Sequence, residues 1–169
     1  MNLQFYFERL HASDAFKEFI KENPKAYLCS GFFTIDKESR TPESTDEKHF
    51  DFYIPDKKEM FILKIVPEGV ERLPVEMAAP GVPEKISNAI DFDFKEVEKL
   101  ILDEMEKQKV KNKLQKIMIS LQKFEGKEAL ICTVFVSMLG LLKVYIDPKT
   151  KKVIHFEKKS LFDIVKRVK

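Results

Sequence analysis

The sequence predicts an α+β protein built from two pseudo-repeated units, each a helical region followed by antiparallel strands, with the helices packed on one side of the sheet. Three observations point there. Residues 25–34 align without gaps on 128–137, placing Cys29 on Cys132 and apolar residues mostly on apolar ones. Residues 50–56 match 142–148 in the same manner, so a second strand and its turn recur. Each strand pair is preceded by a stretch with helical spacing, residues 3–22 and 94–124. The units are read as 1–78 and 94–169, joined by a Pro/Gly connection over 79–93.

Leu3, Phe7 and Leu10 share one helical face, whereas Phe16, Phe19 and Ile20 lie nearly opposite. The stripe therefore slips near residues 11–14, where Ser13 or Asp14 can cap a second helical segment. A strand over 2–8, with Leu3, Phe5 and Phe7 alternating, is the competing reading. Asn23-Pro24 ends the helix, because Asn tolerates a left-handed cap and Pro cannot continue. Strands are expected near 26–35, 48–54 and 60–66, with a weaker one near 70–77. The polar stretch 36–48 between the first two contains Thr41-Pro42-Glu43-Ser44-Thr45 and reads as a loop.

Asp93 followed by Glu96 resembles a capping box and opens the second helical region. Val97, Ile101 and Met105 share one face, while Val110, Leu114, Ile117 and Leu121 fall on the other. The region to about Phe124 is thus expected as a broken helix, or as a long one whose halves pack on different bodies, with Gly126 as its C-cap. Strands near 129–138, 141–147 and 152–157 follow, and Ser160 can cap a last helix through Val168.

The segment Tyr145-Ile146-Asp147-Pro148-Lys149-Thr150-Lys151-Lys152-Val153 resembles the Asp-x-x-Thr-Gly-x-Val hairpin of PepSY domains, with Lys151 where that pattern has Gly. The order of helix and antiparallel strands, given twice, resembles tandem cystatin-like or PepSY-like repeats. Residues 16–29 are also similar to small uncharacterised archaeal proteins. The resemblance implies a fold, and binding in preference to catalysis.

The chain has 169 residues and a formal net charge of +2. Residues 1–93 hold 12 Lys/Arg against 18 Asp/Glu, or −6, whereas 94–169 hold 18 against 10, or +8. Such asymmetry suits halves that attract one another, or a basic half that meets an acidic partner. Cys29 and Cys132 are expected as free thiols in strand centres, which makes a reducing cytosol the default location. The N-terminus lacks a basic segment followed by an apolar stretch, and no apolar run reaches the roughly 18 residues of a membrane helix, so no signal peptide and no membrane partner are expected.

His11, His49 and His155 are far apart and show no metal-ligand spacing, and neither cysteine has a neighbouring base in the sequence. The acidic pairs Asp91/Asp93 and Glu104/Glu106 read as helix-start and solvated residues. No Gly-rich phosphate loop occurs. No catalytic residue, metal or cofactor is therefore assigned. The candidate partner-binding residues are the lysines Lys107, Lys109, Lys111, Lys113, Lys116, Lys123 and Lys127, with further charge at Lys158, Lys159, Lys166, Arg167 and Lys169. The first expectation is a non-catalytic binding or scaffold module for a protein or peptide, and the second a nucleic-acid-associated protein using the basic half. A small-ligand binder or enzyme comes third, marked by a pocket that gathers His49, Asp51 or His155.

Overall fold

A computed structural model describes residues 1–39, 46–75 and 81–160. Two short helices open the chain, α1 (Leu3–Ala12) and α2 (Asp14–Glu22), and the break between them falls at Ser13. The Ser13 hydroxyl accepts the Phe16 amide at 3.2 Å, capping α2 where the apolar stripe changes face. The Asn2 side chain likewise caps α1 by accepting from the Phe5 amide, so residues 3–8 are helical and the strand alternative fails.

Four strands follow, β1 (Tyr27–Asp36), β2 (Lys48–Ile54), β3 (Glu59–Val66) and β4 (Gly69–Val75). A third helix, α3 (Phe94–Lys107), precedes four more: β5 (Leu114–Phe124), β6 (Lys127–Val136), β7 (Gly140–Asp147) and β8 (Lys152–Ser160). All eight form one antiparallel sheet in the order β4-β3-β2-β1-β5-β6-β7-β8. The molecule is thus a strand-dominated α+β protein, and the β1–β5 ladder joins its two meanders edge to edge.

The three described helices cover one face. Phe7 of α1 stacks on Phe50 at 4.7 Å, Phe19 of α2 meets Phe52 and Phe61 at 5.7 Å, and Val97, Ile101 and Met105 of α3 join the same buried cluster. Leu63, Ile119, Cys132 and Val144 supply that cluster from the other strands. The described part of the connection, residues 81–93, is bound into this layer as well. Ile86, Ile90 and Phe92 are buried, the Ile86 amide donates to Leu28 O, and the Leu3 amide donates to Phe92 O at 2.9 Å.

The helix expected to run on to Phe124 instead ends at Lys107. Lys109 takes a left-handed conformation (φ 57°) and the Val110 amide closes back on Met105 O at 2.8 Å, after which the chain re-enters the sheet as β5. Leu114, Ile117 and Leu121 fit helical spacing, but Ile117, Ile119 and Leu121 also alternate and are buried as a strand face. Gly126 consequently caps no helix. With Glu125 (φ 51°) and Gly126 (φ 80°) both left-handed, it forms the two-residue turn of the β5–β6 hairpin, which needs the same backbone freedom.

Cys29 lies in β1 and Cys132 in β6, so the sequence register that superposes them matches the first strand of one meander with the second strand of the other. Apolar alternation repeats at every inner strand and does not specify which strand is which. At the β7–β8 turn Lys151 adopts φ 59°, the conformation for which the hairpin pattern uses Gly, and Asp147 Oδ1 accepts the Lys149 and Thr150 amides. The helix expected after Ser160 and the turn-forming run 41–45 lie outside the described residues.

Candidate functional site

The opposite face of the sheet carries no helix among the described residues. Across its middle runs the register row Phe32, Ser120, Ile131, Tyr145 and His155, continued past Phe32 by His49 and Lys64. Met118, Ile62 and Phe135 lie on the same face in neighbouring rows, and all three are partly exposed.

One polar cluster is built into this face, and a bulge positions it. Cys29 is an extra residue between Leu28, opposite Phe52, and Ser30, opposite Asp51. The bulge reverses the phase of β1, so Leu28 and Phe33 both face the helices while Ser30 and Phe32 face outward. Ser30 Oγ then donates to Asp51 Oδ2 at 2.5 Å, and His49 Nδ1 lies 2.9 Å from Asp51 Oδ1. Phe32 stacks on the imidazole at 5.2 Å. The carboxylate stands between hydroxyl and imidazole, so this is no Ser–His relay, in which the imidazole must reach the hydroxyl. It holds an oriented imidazole on a face that mixes apolar and polar side chains. The neighbouring Cys29 thiol donates to Asp51 O at 3.3 Å and is pushed up to about 12 by burial and by the Asp51 charge, so it is poorly suited to act as a thiolate.

His49 and Asp51 are therefore brought together, but His155 is not with them. It lies on β8, five strand spacings from β2, or roughly 24 Å, and packs on Tyr145 at 4.9 Å. Ser30 escaped the sequence reading because only the bulge turns it toward Asp51. Asp93 caps α3 by accepting the Lys95 and Glu96 amides, whereas Asp91 accepts from the Asn2 side chain and the Gln4 amide and so ties the start of α1 to the connection. Among the described residues no group of three or more His, Cys, Asp or Glu could hold a metal ion, and no helix is long and apolar enough to cross a membrane.

The seven candidate lysines do not form one surface. Lys107, Lys109, Lys111 and Lys113 are exposed around the end of α3 and the entry to β5, with Lys113 paired to Glu38 at 3.2 Å. Lys116 lies on β5 near that end. Lys123 and Lys127 lie at the other end of β5 and the start of β6, about 23 Å from Lys116 by strand rise. Lys123 pairs with Glu128 at 3.5 Å.

On the helix side, α1, the β2–β3 ends and the start of α3 enclose a cleft of about 720 Å³. Phe5, Ile65 and Phe94 line it together with Arg9, Lys48 and Lys95. Lys48 Nζ sits 5.2 Å from the Tyr6 ring centre, and Arg9 donates to Val66 O at 3.1 Å. Burial raises the pKa of Asp46 at its rim.

No protein-family model and no curated protein matches the sequence. Among solved structures, the chain is similar to a candidate lipoprotein of Clostridium difficile, with a TM-score of 0.58 and 14% identity, over 86% of this chain and 91% of that one. That likeness supports the fold alone.

Proposed function

We propose that the chain is a non-catalytic binding or scaffold module that engages a protein or peptide through the uncovered sheet face. The observation that carries this reading is the row Phe32–Ser120–Ile131–Tyr145, partly exposed on a face whose opposite side holds the three described helices. Partly exposed aromatic and aliphatic side chains interspersed with placed polar groups, here Ser120 and the His49–Asp51 pair, are what interaction sites present. The element order, helices and a four-stranded meander followed by a helix and a second meander, supports two related units of the cystatin-like or PepSY-like kind. In that reading β1 corresponds to β5 and β2 to β6.

The test is selection of peptides from a displayed random library, followed by cross-linking from a photoreactive residue placed at Ile131 or, for comparison, at exposed Lys99 on α3. Ligands should cross-link from Ile131 and weaken at least tenfold with Phe32→Lys at a temperature where the variant is still fully folded. Ligands indifferent to Phe32→Lys would remove the proposal. The cleft favours a second reading, a small-ligand binder, because its volume falls within the range of ligand sites and apolar walls there meet cationic side chains. A nucleic-acid role would draw on Lys107 to Lys113, and predicts duplex binding that falls steeply with salt and is lost on charge reversal there.

A further inference from the structure

Two hairpins of the second meander turn through a pair of left-handed residues, the two-residue β5–β6 turn and the three-residue β6–β7 loop, with different residues in those places. Glu125-Gly126 supplies the glycine that left-handed geometry favours. The β6–β7 turn instead places Met138 (φ 65°) and Leu139 (φ 57°) in that geometry, where Asn, Asp or Gly is usual. Neither side chain is tucked away: Met138 is 89% and Leu139 55% exposed. The tip is nonetheless firmly held, since Ser137 exchanges hydrogen bonds with Lys113 and accepts from Asn112 Nδ2, each at 2.8 Å.

Those bonds fix the tip beside the segment that carries Lys109 and Lys111. On its other flank Gly140 and Leu142 pair with Ser160 and Lys158 of β8. Lys113 and Lys159 are neutralised by Glu38 and Glu157, but Lys109, Lys111 and Lys158 have no ion-pair partner among the described residues. We infer that the Met138–Leu139 tip and the lysines around it dock peripherally on an anionic lipid surface. Two flexible apolar side chains enter the headgroup boundary while the ammonium groups meet anionic headgroups, and the two weak signals act together. A protein partner fits less well, because a stable interface takes about 800 Å² from each side, whereas here a two-residue apolar tip is ringed by charge. Span length, the ground on which no membrane partner is expected, does not bear on such a contact.

The experiment is co-sedimentation of the full chain with vesicles of phosphatidylglycerol and phosphatidylcholine in equal parts, or of phosphatidylcholine alone. Binding should require the anionic lipid and fall at least tenfold between low and high salt. The double substitution Met138→Asn/Leu139→Gly should reduce binding at least tenfold while raising the melting temperature, since it relieves the turn; a purely structural role would not move the two readouts in opposite directions. Lys109→Glu/Lys111→Glu should weaken binding with melting unchanged. Peroxide should oxidise Met138 readily in free protein and slowly with anionic vesicles. Equal binding to neutral vesicles, unaltered binding by either double variant, or a Met138 that resists oxidation in free protein would overturn the inference. Binding to polyglutamate that the tip substitutions weaken as much as vesicle binding would assign the tip to an acidic protein and overturn it likewise.

Discussion

Two adjacent register rows of the same strands differ in everything but position. Phe33, Ile119, Cys132 and Val144 point at the helices and are all 0% exposed. Phe32, Ser120, Ile131 and Tyr145, one residue away on each strand, point outward and remain partly in water. The first row is chosen for volume and apolarity, because close-packed surroundings leave no latitude. The second mixes aromatic, hydroxyl and aliphatic groups, a composition that close packing does not dictate. This contrast predicts that neighbouring residues of one strand separate into stability positions and binding positions.

The largest expected effect tests that directly. Phe33→Ala removes a ring that touches Phe50, Phe92 and Phe94, and should lower stability by about 3–5 kcal/mol. Phe32→Ala, which loses the stack on His49 and a partly wet ring, should lower it by about 1 kcal/mol. Urea denaturation of the two variants reads both values. Comparable losses would mean that the outer face is as much core as the inner one.

The thiols sharpen the comparison at intermediate size. Cys132 lies in the inner row, and burial pushes its thiol up to about 12 from an ordinary value near 9. Because the folded state holds the proton more tightly, its contribution is complete below about pH 9 and declines as pH rises toward 12. Cys29 behaves alike in direction. Alkylation of either thiol in native protein at pH 8 should therefore be slow and should follow unfolding, with both reacting fast in denaturant. Cys132→Ser, burying a hydroxyl in an apolar row, should lower stability by about 1–3 kcal/mol. Rapid native alkylation of Cys132 would show that the inner row opens.

How much of this was legible follows from what each signal can specify. The break at Ser13 was readable because a capping hydroxyl coincides with a change of apolar face, and β1, β2 and β3 were readable from alternation bounded by turn residues. β5 was misread because apolar residues at 114, 117 and 121 satisfy a helix and a strand equally, and the bulge between Leu114 and Lys116 blurs the alternation that would have decided. The same ambiguity let Cys29 of β1 and Cys132 of β6 align, since both sit in similar apolar settings although their strands hold different places in the sheet. The lysines were visible as a run in sequence, but a strand spreads Lys116 and Lys123 to opposite ends, as a helix would not. His49 and Asp51 alternate on one strand and so share a face by necessity. Ser30 joins them only through the Cys29 bulge, a local event without a sequence mark.

The smallest effect concerns that cluster. Ser30 and His49 both bond to Asp51 and to opposite oxygens of it, so each helps hold the carboxylate where the other needs it. Ser30→Ala should lower stability by about 0.5–1.5 kcal/mol, and His49→Gln by a similar amount. If Asp51 couples them, the double variant should depart from the sum of the singles by about 0.5 kcal/mol or more. A sum within error would mean that Asp51 keeps its position without either neighbour, fixed by its place in the β2 ladder alone. In that case the polar groups of the outer face would be independent contacts available to a partner, and the difference between the two faces would rest on exposure and not on a preorganised site.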